Sequence, residues 1–162
     1  MKQAYLTTIN ALERMHRQFL EVIKNELDST DVRDINNVQA LILYNIGGDE
    51  LTVGELTLRG YYLGSNVSYN VKKMTENGYL HQERSSHDRR SVRVRLTDKG
   101  LALSRALESM FERHSAEVAS GDLDPETLTN ANEILRNIES FWLQQLGFGP
   151  RVSEFSRVET AA

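Results

Sequence analysis

The hydrophobic pattern in the middle of the chain changes its period, and this change limits the possible folds more than any other feature. Residues 65–77 carry apolar side chains three and four positions apart, as on one face of a helix. Residues 92–96 instead alternate between apolar side chains and arginines, as in a strand with one buried face. With residues 79–84 as the partner strand, this order predicts helical structure followed directly by a hairpin.

A second short helix is predicted just before the first of these segments. Thr52 and Glu55 have the spacing of a capping box, which predicts a helix that runs to about Arg59. Residues 60–64 then form a turn, and the next helix runs from about Ser65 to Asn77. The apolar stripe of this helix and the glycine that ends it are Val67, Val71, Met74 and Gly78.

Further helices are predicted on both sides of this central segment from their apolar periodicity and their terminal residues. Their bounds are roughly residues 3–29, Asp34 (as N-cap) to Gly47, Thr97 (as N-cap) to Gly121, and Asp124 to Leu146. Residues 147–162 show no period and are interpreted as a tail. The predicted fold class is therefore mainly α, of the α+β type.

Two short helices joined by a tight turn and followed by a hairpin form a winged helix-turn-helix, in which the second helix enters the major groove of DNA. At about 100° per residue, the apolar stripe leaves a polar face on the opposite side of this helix. We expect that face to contact DNA, although an ordinary polar surface would have the same composition. Its residues are Ser65, Asn66, Ser68, Tyr69, Asn70, Lys72 and Lys73.

The charge distribution favours a nucleic-acid partner, although the net charge of the chain is −4. Residues 65–95 contain seven lysines or arginines and three acidic residues, so this segment carries +4 and the rest of the chain −8. A basic zone on an acidic body can be attracted to phosphate through that zone alone. A solvated charged hairpin remains the alternative interpretation.

The hairpin resembles the wing of the MarR family of regulators. Asp88, Arg90, Leu96 and Thr97 match the pattern of that family: Asp, any residue, Arg, five residues, then Leu-Thr. The resemblance implies that Arg90 enters the minor groove and that Asp88 braces the hairpin, unless Asp88 is a plain turn residue. The further candidate contacts in the wing are Arg84, Arg89 and Arg93.

Residues 38–47 and 58–70 resemble a narrower group, the L,D-transpeptidase regulators of alphaproteobacteria. That resemblance implies a small effector, with aromatic molecules as candidates, bound between the dimer helices and the DNA-binding lobes. The candidate pocket residues, which could equally belong to the core, are His16, Tyr44, Tyr61 and Tyr62.

The resemblance also assigns roles to the long helices. It implies that residues 1–30 and 100–146 form a dimerisation region and that residues 34–99 form the DNA-binding lobe. A symmetric homodimer presents two recognition helices about 34–36 Å apart, which suits a palindromic double-stranded operator. Whether binding represses or activates transcription is left open by the sequence.

Other classes of protein are disfavoured. The chain has no cysteine, which removes disulfides, thiolate zinc sites and thiol redox sensing. Ser86, His87 and Asp88 are triad residue types, but adjacent residues at a hairpin tip diverge, so we expect no enzyme activity. No cofactor or metal site is expected, and the lack of a signal core or an apolar span predicts a cytoplasmic protein without membrane contact. The alternative function is a winged-helix protein–protein adaptor that does not bind DNA.

Overall fold

A computed structural model of the chain describes residues 1–59, 64–84, 92–121 and 123–147. Within these ranges the chain is mostly helical with one small antiparallel sheet, which confirms the predicted fold class. The helices are α1 (Lys2–Ser29), α2 (Asn37–Ile46), α3 (Val53–Arg59), α4 (Gly64–Glu76), α5 (Asp98–Ala119) and α6 (Pro125–Gln145). The strands are β1 (Leu51–Thr52), β2 (Leu80–Arg84) and β3 (Val92–Leu96).

The chain divides into two compact units, Met1–Met110 and Phe111–Ala162. The first unit holds α1 to α4, the sheet and the first part of α5. The second unit holds the end of α5 and α6. The predicted division into a dimerisation region and a DNA-binding lobe concerns an assembly of two chains and stays a prediction.

The core of the first unit is formed by one apolar face from each of its elements. The stripe predicted for α4 is buried, with Val67 and Met74 fully inaccessible to solvent. The other fully buried side chains in this unit include Ile23, Ile42, Leu43, Leu56, Val94 and Leu107. Helix periodicity in the sequence therefore identified the face of α4 that packs inward.

The sheet has the strand order β1-β3-β2, with both pairings antiparallel. β2 and β3 are the predicted hairpin, and in β3 Val94 and Leu96 are buried whereas Arg93 and Arg95 are exposed. β1 was not predicted, because two residues are too few to show a period. Leu51 pairs with Val94 and is buried beside it.

The predicted start of α2 is wrong. Its N-cap is Asn36, which has extended backbone and accepts a hydrogen bond from the main-chain nitrogen of Gln39. Asp34 cannot serve as the cap because its carboxylate accepts from the Tyr79 hydroxyl and the Lys99 ammonium group.

The other predicted helix starts are confirmed. Thr52 Oγ1 accepts from the Glu55 nitrogen at 3.1 Å, and the Glu55 carboxylate accepts from the Thr52 nitrogen at 2.6 Å. Thr97 Oγ1 accepts from the Gly100 nitrogen at 3.1 Å at the start of α5. Asp124 caps α6 by accepting from the Thr127 nitrogen at 2.8 Å. None of the helices in the described residues is both long enough and apolar enough to cross a membrane.

Candidate nucleic-acid interface

The outer face of α4 is polar and open to solvent, as predicted. Tyr69 is 61% exposed although its neighbours on the helix, Val67 and Val71, are buried. Asn66, Ser68 and Lys72 are also exposed. Ser65 lies in α4, but its side chain falls outside the described part of the structure. An aromatic side chain and polar groups are thus presented on a helix whose other face is held in the core.

The two lysines of α4 share one carboxylate. Lys73 Nζ lies 2.8 Å from Glu76 Oε2, and Lys72 Nζ lies 3.9 Å from Glu76 Oε1. The hydrogen bond with Lys73 lowers the pKa of Glu76 and raises that of Lys73. These pairs are at the surface, where such interactions are weak, so a phosphate group can replace Glu76 as the partner at little cost.

Asn70 is placed differently from the other candidates on α4. It is half-buried, and its Oδ1 accepts a hydrogen bond from Gln39 Nε2 at 3.1 Å. Gln39 is 6% exposed, and its Oε1 accepts from the Asn36 nitrogen at 3.0 Å. Asn70 therefore links the recognition helix to the start of α2, and a role in base contact stays a prediction.

Gln39 is a positioning residue that the sequence interpretation missed. The signal was present, since Asn36 and Gln39 have the spacing of a capping box. The second bond of Gln39, to a residue 31 positions away, has no sequence signature.

The outer face of the wing base is nearly balanced in charge. The strand register places Glu83 opposite Arg93 and His81 opposite Arg95. Arg93 Nη1 lies 3.9 Å from Glu50, and Arg95 Nη2 lies 3.8 Å from Glu83. Arg84 is exposed at the end of β2. The phosphate contacts expected of Arg84 and Arg93 stay predictions.

Several candidate site residues lie outside the described part of the structure. The wing-tip residues Asp88, Arg89 and Arg90 and the pocket candidates Tyr61 and Tyr62 are among the residues that the structure does not describe.

Two pocket candidates are described. His16 is exposed on α1, whereas Tyr44 on α2 is half-buried and donates a hydrogen bond to Glu108 of α5. That bond, with burial and the charge of Glu108, raises the pKa of Tyr44 to about 12.

A polar cluster that was not predicted surrounds the turn after α4. Tyr79 donates its hydroxyl hydrogen to Asp34 Oδ1 at 2.6 Å, and Lys99 Nζ donates to Asp34 Oδ2 at 2.6 Å. Burial raises the pKa of Asp34, but the hydrogen bonds from Lys99 and Tyr79 and the charge of Lys99 together lower it below its usual value. Asn77 donates its side-chain hydrogen to the Asp34 main-chain oxygen.

Comparison with known proteins agrees with this architecture. Residues 35–100 match the family model of the winged helix DNA-binding domain. The exopolysaccharide II synthesis transcriptional activator ExpG of Rhizobium meliloti is 35% identical over 145 residues, which cover 90% of this chain and 75% of that protein. The chain belongs to the family of winged-helix transcriptional regulators that includes ExpG.

Solved structures have the same fold. FabT of Streptococcus pneumoniae, in complex with DNA, has a TM-score of 0.68 at 22% identity, with 88% of this chain and 99% of that chain covered. MarR of Staphylococcus aureus, in complex with salicylate and kanamycin, has a TM-score of 0.69 at 20% identity, with 88% and 94% covered.

The similarity to ExpG also confirms the expected class of protein, because that relative is a transcriptional activator. The ordering of α3, α4, β2 and β3 is the winged helix-turn-helix predicted from the change of period. Within the described ranges, no three His, Asp or Glu side chains are grouped so that they could hold a metal ion.

Proposed function

We propose that this winged-helix regulator is of the MarR type and binds a palindromic operator as a homodimer, with α4 in the major groove and the wing in the minor groove. The observation that carries the proposal is the two-sided character of α4, in which Val67 and Met74 are buried and Tyr69 and Lys72 are exposed. A helix held by one face can present the other to base edges without rearrangement, and asparagine, tyrosine and lysine supply the donors and acceptors.

The proposed specific contacts are Asn66, Ser68 and Tyr69, with Ser65 and Asn70 at their margin. Lys72, Lys73, Arg84, Arg89 and Arg93 bind phosphates, and Arg90 enters the minor groove while Asp88 braces the wing. The division between base and phosphate contacts is supported by chemistry, because base edges are read by directional hydrogen bonds whereas phosphates need only a nearby positive charge. The roles of Arg90 and Asp88 are those that the resemblance to the MarR wing implies.

The homodimer is supported by the apolar surface of the terminal helices. α6 contains no buried residue in the single chain, although it is capped and amphipathic. Its exposed apolar side chains are Leu128, Ile134, Leu135, Phe141, Trp142 and Leu146. A surface of this kind marks an interaction site, and a symmetric pairing of two chains would bury it.

We also propose that a small molecule modulates DNA binding, with aromatic compounds as the first candidates. Salicylate is bound to the Staphylococcus aureus MarR protein, which has the same fold. In this chain Tyr44 and His16 are the described candidates for contact. A ligand changes operator affinity only as far as it binds one arrangement of the DNA-binding lobes better than another.

The regulated genes are proposed from two resemblances. Similarity to the L,D-transpeptidase regulators favours genes of cell-wall remodelling, whereas the relative from Rhizobium meliloti acts in exopolysaccharide II synthesis. Both concern the cell envelope, and we propose envelope genes as the regulon.

Capture of genomic DNA on the purified full-length protein, followed by sequencing, tests the proposal. The expected result is enrichment of promoter fragments that share one palindrome, and their genes distinguish the two resemblances. Binding to that palindrome should exceed binding to a random duplex, and the affinity should fall steeply as salt rises from 50 to 200 mM. Absence of any duplex binding at the lower salt would favour the adaptor function instead.

A further inference from the structure

The first turn of α5 contains two residues that a helix start disfavours. Thr97 is the N-cap, so Lys99 and Gly100 occupy the second and third helical positions. A positive charge is unfavourable beside the positive end of the helix dipole. Glycine is a poor helix former because it loses the most backbone freedom on folding. Local preferences that are broken at adjacent positions call for a tertiary explanation.

Both residues contact the same turn, residues 77–79. Lys99 Nζ donates to the Asn77 main-chain oxygen at 3.0 Å and lies 4.0 Å from the centre of the Tyr79 ring. A Cβ atom on Gly100 would come closer than 3.0 Å to the Tyr79 main-chain oxygen. The start of α5 is therefore shaped to lie against this turn.

The turn is also the end of the recognition helix. The Tyr79 nitrogen donates to the Met74 oxygen at 2.8 Å, and Gly78 has a φ of 78°. The chain therefore turns directly from the end of α4 into β2. Thr97 Oγ1 donates to the Gly78 oxygen at 2.7 Å. The position of residues 77–79 thus sets where α4 ends and where β2 begins.

Asp34 completes the connection on the other side. Its carboxylate binds Lys99 and the Tyr79 hydroxyl, and its main-chain oxygen accepts from Asn77. Lys99 is consequently bonded to the segment before α2 and to the turn after α4 while it belongs to α5. The Lys99 ammonium group therefore connects α5 with two other segments, the one before α2 and the turn at the C-terminal end of α4.

We propose that Lys99 and Asp34 are a pair of positioning residues that set the placement of α4 for sequence-specific binding. This inference rests on the proposed operator binding. Hydrogen bonds to base edges depend on placement, whereas phosphate contacts tolerate a shift of the helix. Loss of the pair therefore lowers affinity for the operator more than affinity for DNA of random sequence.

The pair can be tested without loss of the fold. The Lys99 and Asp34 side chains are 49% and 48% exposed, and ion pairs so exposed contribute little to stability. The variants are Lys99→Met, Asp34→Asn, their combination, and Lys99→Arg. The matched control is Arg33→Met, which breaks the neighbouring exposed pair of Arg33 with Asp31 but touches neither α4 nor its turn.

The measurements are dissociation constants for the captured operator and for a random duplex over a series of salt concentrations, with a thermal melt of each variant. For Lys99→Met we expect about tenfold weaker operator binding and random-duplex binding within about twofold of that of the unchanged protein. The salt slope, which is the change in log affinity with log salt concentration, should be unchanged. Asp34→Asn and the double variant should match Lys99→Met, because either change breaks the same link. Lys99→Arg should recover most of the operator affinity, and Arg33→Met should behave as the unchanged protein.

Two results would overturn the inference. One is an operator-to-random ratio that Lys99→Met and Asp34→Asn leave unchanged. The other is a salt slope that falls by about one for Lys99→Met with no effect of Asp34→Asn, which would make Lys99 a direct phosphate contact. If a variant fails to fold, Tyr79→Phe removes a single hydrogen bond of the cluster and should lower the same ratio. If the unchanged protein binds no duplex at all, the proposed function fails before this inference is reached.

Discussion

Tyr69 and Val67 are two residues apart on α4 and lie in opposite environments. Tyr69 is 61% exposed, whereas Val67 is completely buried. A step of two residues turns the helix by about 200°, so the two side chains point to opposite sides. Val67 fixes one side of α4 in the core while the Tyr69 ring on the other side is open to solvent, which is the arrangement that a reading face requires.

Replacement of residues on this face should separate base contact from phosphate contact. We expect Tyr69→Ala and Asn66→Ala to change which operator base is preferred, each at a cost of about 1–3 kcal/mol. Lys72→Ala should instead weaken binding to all duplexes and lower the salt slope by about one. Binding titrations against single-base operator variants measure both effects, with Lys24→Ala, at an exposed position of α1, as the control. Equal effects of Tyr69→Ala on all operator variants would contradict the assignment.

Gly100 offers a test of close packing at the turn. Gly100→Ala improves helix propensity by up to about 1 kcal/mol, but its Cβ would overlap the Tyr79 main-chain oxygen. Overpacking against backbone costs about 1–3 kcal/mol, so we expect net destabilisation in urea denaturation. Gly54→Ala is the matched control, because its Cβ would meet only Thr52 Oγ1 at 3.8 Å, and it should stabilise the protein slightly. A stabilising Gly100→Ala would show that the turn moves freely.

At the scale of elements, α2 owes its starting point to a tertiary competition. Asp34 and Asn36 are both good N-cap residues, and Asn36 also has Gln39 three positions later to complete a capping box. The carboxylate of Asp34 is engaged by Tyr79 and Lys99, which leaves Asn36 to cap the helix. The helix boundary thus depends on a local capping box and on two partners of Asp34 that are 45 and 65 positions away from it.

Gln39 makes one hydrogen bond within the capping box of α2 and one to α4, and mutation can separate what each bond adds to stability. Asn70→Ala removes the hydrogen bond between α2 and α4 and should lower the free energy of unfolding by about 1 kcal/mol. Gln39→Ala also removes the acceptor for the Asn36 nitrogen, so it should cost about 2 kcal/mol. Urea denaturation of both variants gives the difference. Equal losses of unfolding free energy would mean that the hydrogen bond from the Asn36 nitrogen to the Gln39 side chain adds no stability.

At the scale of the whole molecule, α6 is a well-formed helix with none of its residues buried in the single chain. Its N-cap, the proline in its first turn and its amphipathic pattern all favour a helix. Amphipathic helices gain most of their stability from packing of the apolar face. The exposed side chains Phe141, Trp142 and Leu146 therefore support a second chain as the partner in solution.

A charge on that face should disrupt the dimer. We expect Phe141→Asp to shift the protein toward monomers at micromolar concentration, since a carboxylate cannot be buried there without a partner. Ser140→Asp is the matched control, because it adds the same charge at an exposed position one residue earlier, which is about 100° around α6 and outside its apolar stripe. Sedimentation equilibrium over a range of concentrations distinguishes them. A protein that is monomeric without any mutation would exclude the proposed homodimer.

The elements and their inner faces could be predicted from the sequence alone. The apolar positions of α4 and β3 follow the 3.6-residue and two-residue periods, and the caps at Thr52, Thr97 and Asp124 lie next to the helices that they begin. These signals are local, because each depends on residues within about one helical turn. The same periodicity predicted the exposed face on which Tyr69 and Lys72 lie.

The tertiary structure alone decided how that face is held. The pairing of β1 with β3, the bond from Gln39 to Asn70, and the link of Asp34 to Lys99 join residues between 31 and 65 positions apart. A side chain such as that of Asp34 has several possible partners in the sequence, and its choice depends on which of them the folded chain brings within hydrogen-bond distance. Local periodicity does not determine that distance. The contacts that hold the recognition helix in place could therefore be identified only in the folded chain.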